Sequence, residues 1–170
     1  MDVRFGSQNF HKLKRENGQL HVEILLRYEG ITDKKVSYYG EKPVRLILDT
    51  GAYLTVISRG TAQLCYFDRL PKIATRIFGF SGSIGADYVR IPGIVILGKV
   101  LQDVPVLIPH DLYRLDEETG DKRRIPEVLG LNILEYYNYY VDTENDRIYL
   151  NENPNPRFYN ASLSSGSIIR

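Results

Sequence analysis

Val44-Arg45-Leu46-Ile47-Leu48-Asp49-Thr50-Gly51-Ala52-Tyr53-Leu54-Thr55-Val56-Ile57-Ser58 is the stretch on which the fold of this chain turns. An aliphatic run delivers one acid to a short turn containing glycine, and a second apolar run follows. Runs of this length bounded by turn residues read as buried strands. A strand that carries a carboxylate toward an apolar interior needs a reason, because an unpaired ion is costly there. By itself Asp49-Thr50-Gly51 also fits an ordinary strand-ending turn, in which Asp bonds its own backbone.

Bulk composition narrows the choice. The chain has 170 residues, enough for one domain with a proper core. A formal net charge of +1 speaks against a nucleic-acid binder that works by neutralising phosphates. One cysteine, Cys65, excludes an internal disulfide and a cysteine metal cluster, and no His or cation near it in sequence would activate its thiol. His11, His21 and His110 lack metal-ligand spacing, so no metal and no cofactor is expected. No apolar segment reaches the length of a membrane span and no signal-peptide core is present, which together give the expectation of a cytoplasmic protein.

Outward from Asp49, residues 20–28 read as a strand, and residues 34–39 as a shorter one. Asn17-Gly18 is a hairpin signal that would pair residues 10–13 with the strand after it. Ser58 is placed to cap a short helix running to Leu64. Residues 75–91 form two strand-like arms around Gly79-Phe80-Ser81-Gly82-Ser83-Ile84-Gly85, a hairpin with a glycine-rich tip. It is either a plain surface hairpin or a lid, since glycine permits close approach of backbone to a ligand. No Lys-Ser/Thr pair follows, so a phosphate-cradling loop is set aside. Residues 93–101 and 104–109 read as two strands joined at Gln102-Asp103, and residues 110–124 as a charged exposed loop or hairpin tip. Val128-Leu129-Gly130-Leu131-Asn132-Ile133-Leu134-Glu135 reads as a buried strand turning into a short helix, followed by a hairpin over residues 137–150.

In this order the three stretches resemble the retropepsin-like aspartic proteases: Asp-Thr-Gly-Ala between two apolar strands, a glycine-rich hairpin, and a hydrophobic-hydrophobic-glycine run into a helix. The resemblance spans residues 43–150 and is closer to the cellular and bacterial branch than to a virus. It implies a mostly β fold, a closed retropepsin-like barrel with a flap hairpin and one or two short helices. It divides the chain into an N-terminal polar segment (1–19), a protease domain (20–150) and a loosely held tail (151–170). It implies an aspartic endopeptidase acting on polypeptide as a homodimer, with no nucleic acid and no membrane span. Asp49, Thr50 and Gly51 take the catalytic positions; Ala52, Phe78, Gly79, Phe80, Ser81, Gly82 and Ser83 take the substrate-binding ones. Thr55 matches a hydroxyl position common in the family.

Aspartic proteolysis uses two carboxylates sharing one proton, and this chain supplies one Asp-Thr-Gly. Asp142-Thr143 is followed by Glu144, which does not make the same turn cheaply, so the second carboxylate is expected from a second copy. Ala52 removes a hydroxyl that would stabilise the charged form, which places best activity at about pH 4.5–6.5. Tyr53 and Leu131 stand where retroviral enzymes carry an acid and an arginine, so the retroviral style of dimer is not carried over. A retropepsin-like module that binds peptide or dimerises without cleaving is the alternative, and an unrelated β-barrel ligand binder with the glycine-rich hairpin as its lid is a second.

Overall fold

The burial of every second side chain makes the strand before Asp49 and its partner the frame of the molecule. In β3 (Gln19–Ile31) Val22, Ile24 and Leu26 are buried while their neighbours face outward, and in β4 (Ser37–Leu48) Val44 and Leu46 are buried. Each such aliphatic side chain contributes about 1.5–3 kcal/mol when fully removed from water. The computed structural model describes residues 10–79, 82–96 and 98–152. Expectations for residues 1–9, for Phe80 and Ser81, and for the tail from residue 153 fall outside that range.

The strands β3 and β4 form one long antiparallel hairpin, from His21 opposite Ile47 to Ile31 opposite Ser37. Residues 20–28 are thus part of a longer strand, whereas of residues 34–39 the first three lie in the turn and only 37–39 belong to β4. Two very short strands carry the fold past Asp49. β5 (Thr55–Val56) runs parallel to β8 (Lys99–Pro109), and β11 (Val128–Leu129) lies between them and β4, parallel to β4 and antiparallel to β5. β7 (Gly82–Ile96) pairs antiparallel with β8 and, through Leu25 opposite Val95, with β3. The ring β3-β4-β11-β5-β8-β7 is therefore closed, a six-stranded barrel. On its rim β2 (Lys14–Glu16) pairs with β3 across Asn17-Gly18, and β6 (Lys72–Gly79) pairs with β7.

The Asn17-Gly18 turn forms as expected, Gly18 taking φ +75°, but its first arm is residues 14–16. β1 (Phe10–Lys12) pairs instead with β13 (Arg147–Glu152), which also pairs with β12 (Tyr137–Asp142), giving a separate three-stranded sheet. The turn read at Gln102-Asp103 is also elsewhere. β8 continues through it, with Asp103 itself at a left-handed φ of +53°, and the reversal occurs at Gly98, which takes φ +73°. Arg90 grips Asp103, Nε to Oδ1 and Nη2 to Oδ2, both at 2.9 Å.

Two short helices complete the fold. In α1 (Arg59–Leu64) the Ser58 hydroxyl accepts from Thr61 N at 3.1 Å, the cap expected from sequence. α2 (Leu131–Leu134) is a single turn that starts at Gly130. The main core gathers Val22, Leu26, Leu46, Ile57, Phe67, Ile91, Leu129, Ile133 and Ile148. A second, smaller apolar cluster holds Ala52, Leu54, Val56, Ile77, Ala86, Leu107 and Val128. Buried Cys65 is a free thiol, pushed by burial up to about 11.

Candidate active site

The residues after Asp49 form a loop, 49–54, that ties the end of β4 to β5. Asp49 N donates to Leu129 O at 3.2 Å, and Ala52 N donates to Asp49 O at 3.2 Å. Gly51 N donates to the Asp49 carboxylate, Oδ1, at 2.9 Å. Gly51 does not have a positive φ. A Cβ there would lie 3.2 Å from Asp49 Oδ1, closer than most real contacts, so the carboxylate would have to shift by a few tenths of an ångström. Asp49 is half-buried; Thr50 and Tyr53 are exposed, while Ala52 is buried in the second apolar cluster. Thr50 has no hydrogen-bond partner among the described residues.

Beneath the loop lies a polar knot inside the apolar fold. Thr55 is fully buried, and its hydroxyl donates to Asn132 Oδ1 at 3.0 Å while accepting from Gly130 N at 3.0 Å. Thr55 N also donates to Asn132 Oδ1, at 2.9 Å, and Asn132 Nδ2 donates to Pro105 O at 2.8 Å. These partners fix the orientation of the Asn132 amide. The backbone adds Leu131 N to Ala52 O at 2.8 Å and Asn132 N to Tyr53 O at 3.0 Å. Thus α2 holds the 49–54 loop through its own first-turn amides, which have no partner inside the helix. Gly130 makes this approach possible, since a Cβ on it would meet the Leu54 carbonyl carbon at 2.6 Å.

A further acid takes part. Glu127 Oε2 accepts from Ser58 N at 2.9 Å, and Glu127 O accepts from Ile47 N at 2.9 Å, so the strand before Asp49 and the start of α1 share one anchor.

The glycine-rich hairpin is β6 with β7, in register from Lys72 opposite Val89 to Gly79 opposite Gly82. Its faces differ. Ile77 and Ala86 lie in the second apolar cluster with Ala52 and Leu54, and Ile84 packs against it. The hairpin's inner face thus rests on the Asp49 loop. Phe78, opposite Ser83, alternates onto the other face and is 38% exposed. On that face Arg76 donates from Nη2 and Nε to Ser83 Oγ at 2.7 and 3.0 Å. At the hairpin base His110 N donates to Gly85 O at 3.0 Å, and its Nε2 lies 3.0 Å from Asp87 Oδ1.

The structure therefore brings Asp49, Thr50, Gly51 and Ala52 together in one loop and lays Gly79, Gly82 and Ser83 along the hairpin arms above it. Asn132, Glu127, Ile77 and His110 were not singled out as site residues from sequence. A signal existed for Asn132 alone, an amide in an otherwise apolar Leu-Gly-Leu-Asn-Ile-Leu run, where a buried polar group must find partners. Among the described residues no three His, Cys, Asp or Glu side chains are grouped to hold a metal, and no helix is long and apolar enough to cross a membrane.

Comparison with known proteins agrees with this geometry. A crystal structure of a retropepsin-like aspartic protease from Rickettsia conorii superposes with a TM-score of 0.52 at 16% identity, over 83% of this chain and 87% of that one. EIAV protease in complex with the inhibitor HBY-793 gives a TM-score of 0.47 at 17% identity, over 71% of this chain and 89% of that one. No curated protein matches the chain. The family model for aspartyl proteases matches residues 35–133, from the β3–β4 turn through Asp49 and the flap-like hairpin to the Asn132 helix. The closed barrel is the retropepsin-like fold, and the chain belongs to the aspartyl protease family.

Proposed function

We propose that two copies of this chain form an aspartic endopeptidase in which the two Asp49 carboxylates meet on a two-fold axis. The observation that carries this reading is the Asp49 loop itself. One acid sits on a loop pinned from below by Asn132, with its carboxylate on the Gly51 amide and an apolar hairpin face packed over it. One carboxylate per copy is half of what the chemistry requires.

In the dimer the two carboxylates share one proton, because like charges a few ångströms apart do not both ionise. The ionised Asp49 takes a proton from a water as it attacks the peptide carbonyl. The protonated one donates to the developing oxyanion, and a proton then passes to the leaving amine as the C–N bond breaks. Exposed Thr50, free of partners in its own copy among the described residues, bonds across the axis and holds the two loops. The substrate is an extended polypeptide lying between the loops and the β6–β7 hairpins, which close over it and exclude water.

The test combines sedimentation with cleavage of a peptide library. A dimer that cleaves best at about pH 4.5–6.5, is blocked by a statine-type inhibitor and is inactivated by Asp49→Asn supports the reading. A strict monomer that still cleaves sinks the two-fold dyad. Binding of peptide with no cleavage at any pH returns the module to the non-catalytic alternative.

A further inference from the structure

The charged segment after β8 stands beside the site and has no part in the mechanism above. Its β9 (Tyr113–Leu115) and β10 (Lys122–Arg124) pair as a hairpin. The hairpin rises between β8, which pairs with β5, and β11, which pairs with β4 just before Asp49. Both of its feet therefore leave from strands paired with the two that carry the Asp49 loop. Its tip is stiff. Asp116 accepts from Glu118 N at 3.0 Å and Thr119 N at 3.1 Å, and Arg123 Nη2 lies 3.0 Å from Asp116 Oδ2. Those two amides hold the Asp116 carboxyl below its ordinary range.

This fixed turn presents Glu117 to the flap-like hairpin. A Cβ built on Gly82 would lie 3.4 Å from Glu117 Oε1. Side chains alternate along β7, so position 82 shares its face with Ile84 and Ala86, the face that packs on the Asp49 loop. Glu117 therefore stands on the cleft side of the hairpin tip. Its carboxylate has no ion-pair partner among the described residues. Arg123 is engaged by Asp116, and Arg76 bonds Ser83 on the opposite face.

We propose that Glu117 is a specificity residue that selects peptides with a lysine or arginine side chain near the cleaved bond. This rests on the endopeptidase reading and names its substrate class. An extended peptide passing under the hairpin tip places one side chain against Glu117. Glu117 is exposed, so a cation there forms a solvent-accessible charge-assisted hydrogen bond, whereas an acid meets like charge. For an exposed pair such a bond corresponds to about twofold to fivefold in relative kcat/KM.

The test uses the full chain and peptide pairs differing in one lysine or norleucine at each position around the cut. The expected result is a preference of about twofold to fivefold for lysine at one position, weakened by salt. Glu117→Gln brings that ratio close to one, and Glu117→Lys reverses it in favour of glutamate. Cleavage without a basic preference, or a ratio untouched by Glu117→Gln, overturns the proposal. Absence of cleavage tells against the protease reading separately, and Glu117 is then judged by binding of the same peptides to the Asp49→Asn chain, read by fluorescence anisotropy. A lysine preference removed by Glu117→Gln supports the assignment; equal binding of both peptides, or none, overturns it.

Discussion

Replacing Asn132 with leucine is the sharpest probe of how the site is built. The side chain is similar in size and the position is 8% exposed, so the change removes polarity without opening a large hole. Three hydrogen bonds are lost: Thr55 N and Thr55 Oγ1 to Oδ1, and Nδ2 to Pro105 O. Each partner left buried and unsatisfied costs about 1–3 kcal/mol. The Thr55 hydroxyl keeps its bond from Gly130 N, and leucine recovers about 1 kcal/mol from its apolar surface. The expected net loss is about 3–5 kcal/mol, a large share of the stability of a domain this size. With a urea slope of about 2 kcal/mol per molar, the midpoint falls by roughly 2 M. Thr55→Val removes one shared bond and orphans the Gly130 amide, at about 1.5–3 kcal/mol. Because the two changes delete the same Thr55–Asn132 bond, the double variant should fall short of the sum by about 1 kcal/mol. A loss below about 1 kcal/mol for Asn132→Leu, or strict additivity, would refute the view that this knot holds the Asp49 loop.

Other outcomes follow from single contacts. Gly130→Ala drives a methyl into the backbone of Leu54 and Thr55, where nothing flexible can move aside, so it should cost about 3 kcal/mol or more by urea unfolding. Thr75 is buried, and its hydroxyl finds no partner among the described residues; Thr75→Val should therefore raise stability by about 1 kcal/mol, and a lowered urea midpoint would contradict it. Asn145 and Glu144 bond the Asp142 carboxylate and hold it below its ordinary value of 3.8. The folded state there binds fewer protons than the unfolded one, so its contribution is complete above pH 3.8 and is lost as pH falls through the lower folded value; Asp142→Asn should flatten the thermal melting curve in that acid window. Cys65, raised to about 11, should stay unreactive to a thiol reagent at pH 8 until the chain is unfolded in urea.

The sequence made the apolar framework legible because its signals are local. Leu46-Ile47-Leu48 before Asp49, the Ser58 cap and the Asn17-Gly18 turn each follow from residues a few positions apart. The misplaced turn at Gln102-Asp103 shows where local reading stops. Two polar residues between apolar runs look like a reversal, yet Arg90 pairs with Asp103 across the sheet and the strand stays paired with β7 on both sides of it. Asn132 and Thr55 are 77 positions apart, and His110 meets Asp87 across 23; partners at that distance exist only once the barrel has closed. Glycine tells the same story from the other side. Gly51 and Gly130 both look like turn residues, but neither takes the left-handed conformation that turns ask of glycine. Their role is to leave room, for a carboxylate oxygen in one case and for a neighbouring backbone in the other.

The distribution of bonds around Asp49 bears on how such a site would work. The loop side is held by buried hydrogen bonds, three to the Asn132 side chain and two from α2 amides. The hairpin side is held differently. Arg76 to Ser83 joins its two arms to each other, and His110 to Asp87, at its base, is an exposed contact for which water competes at little cost. Toward its tip the inner face of the hairpin adds side chains of modest size, Ile77, Ala86 and half-buried Ile84, with Tyr88 packed nearer the base. Opening the hairpin thus exposes a small apolar area and breaks bonds that solvent replaces, whereas moving the loop would strand buried donors. In the proposed enzyme the hairpin is the element that would move, and the carboxylate the element that would stay. That asymmetry is what a site needs if it is to admit a polypeptide while keeping an acid in fixed register with the same acid of a second copy.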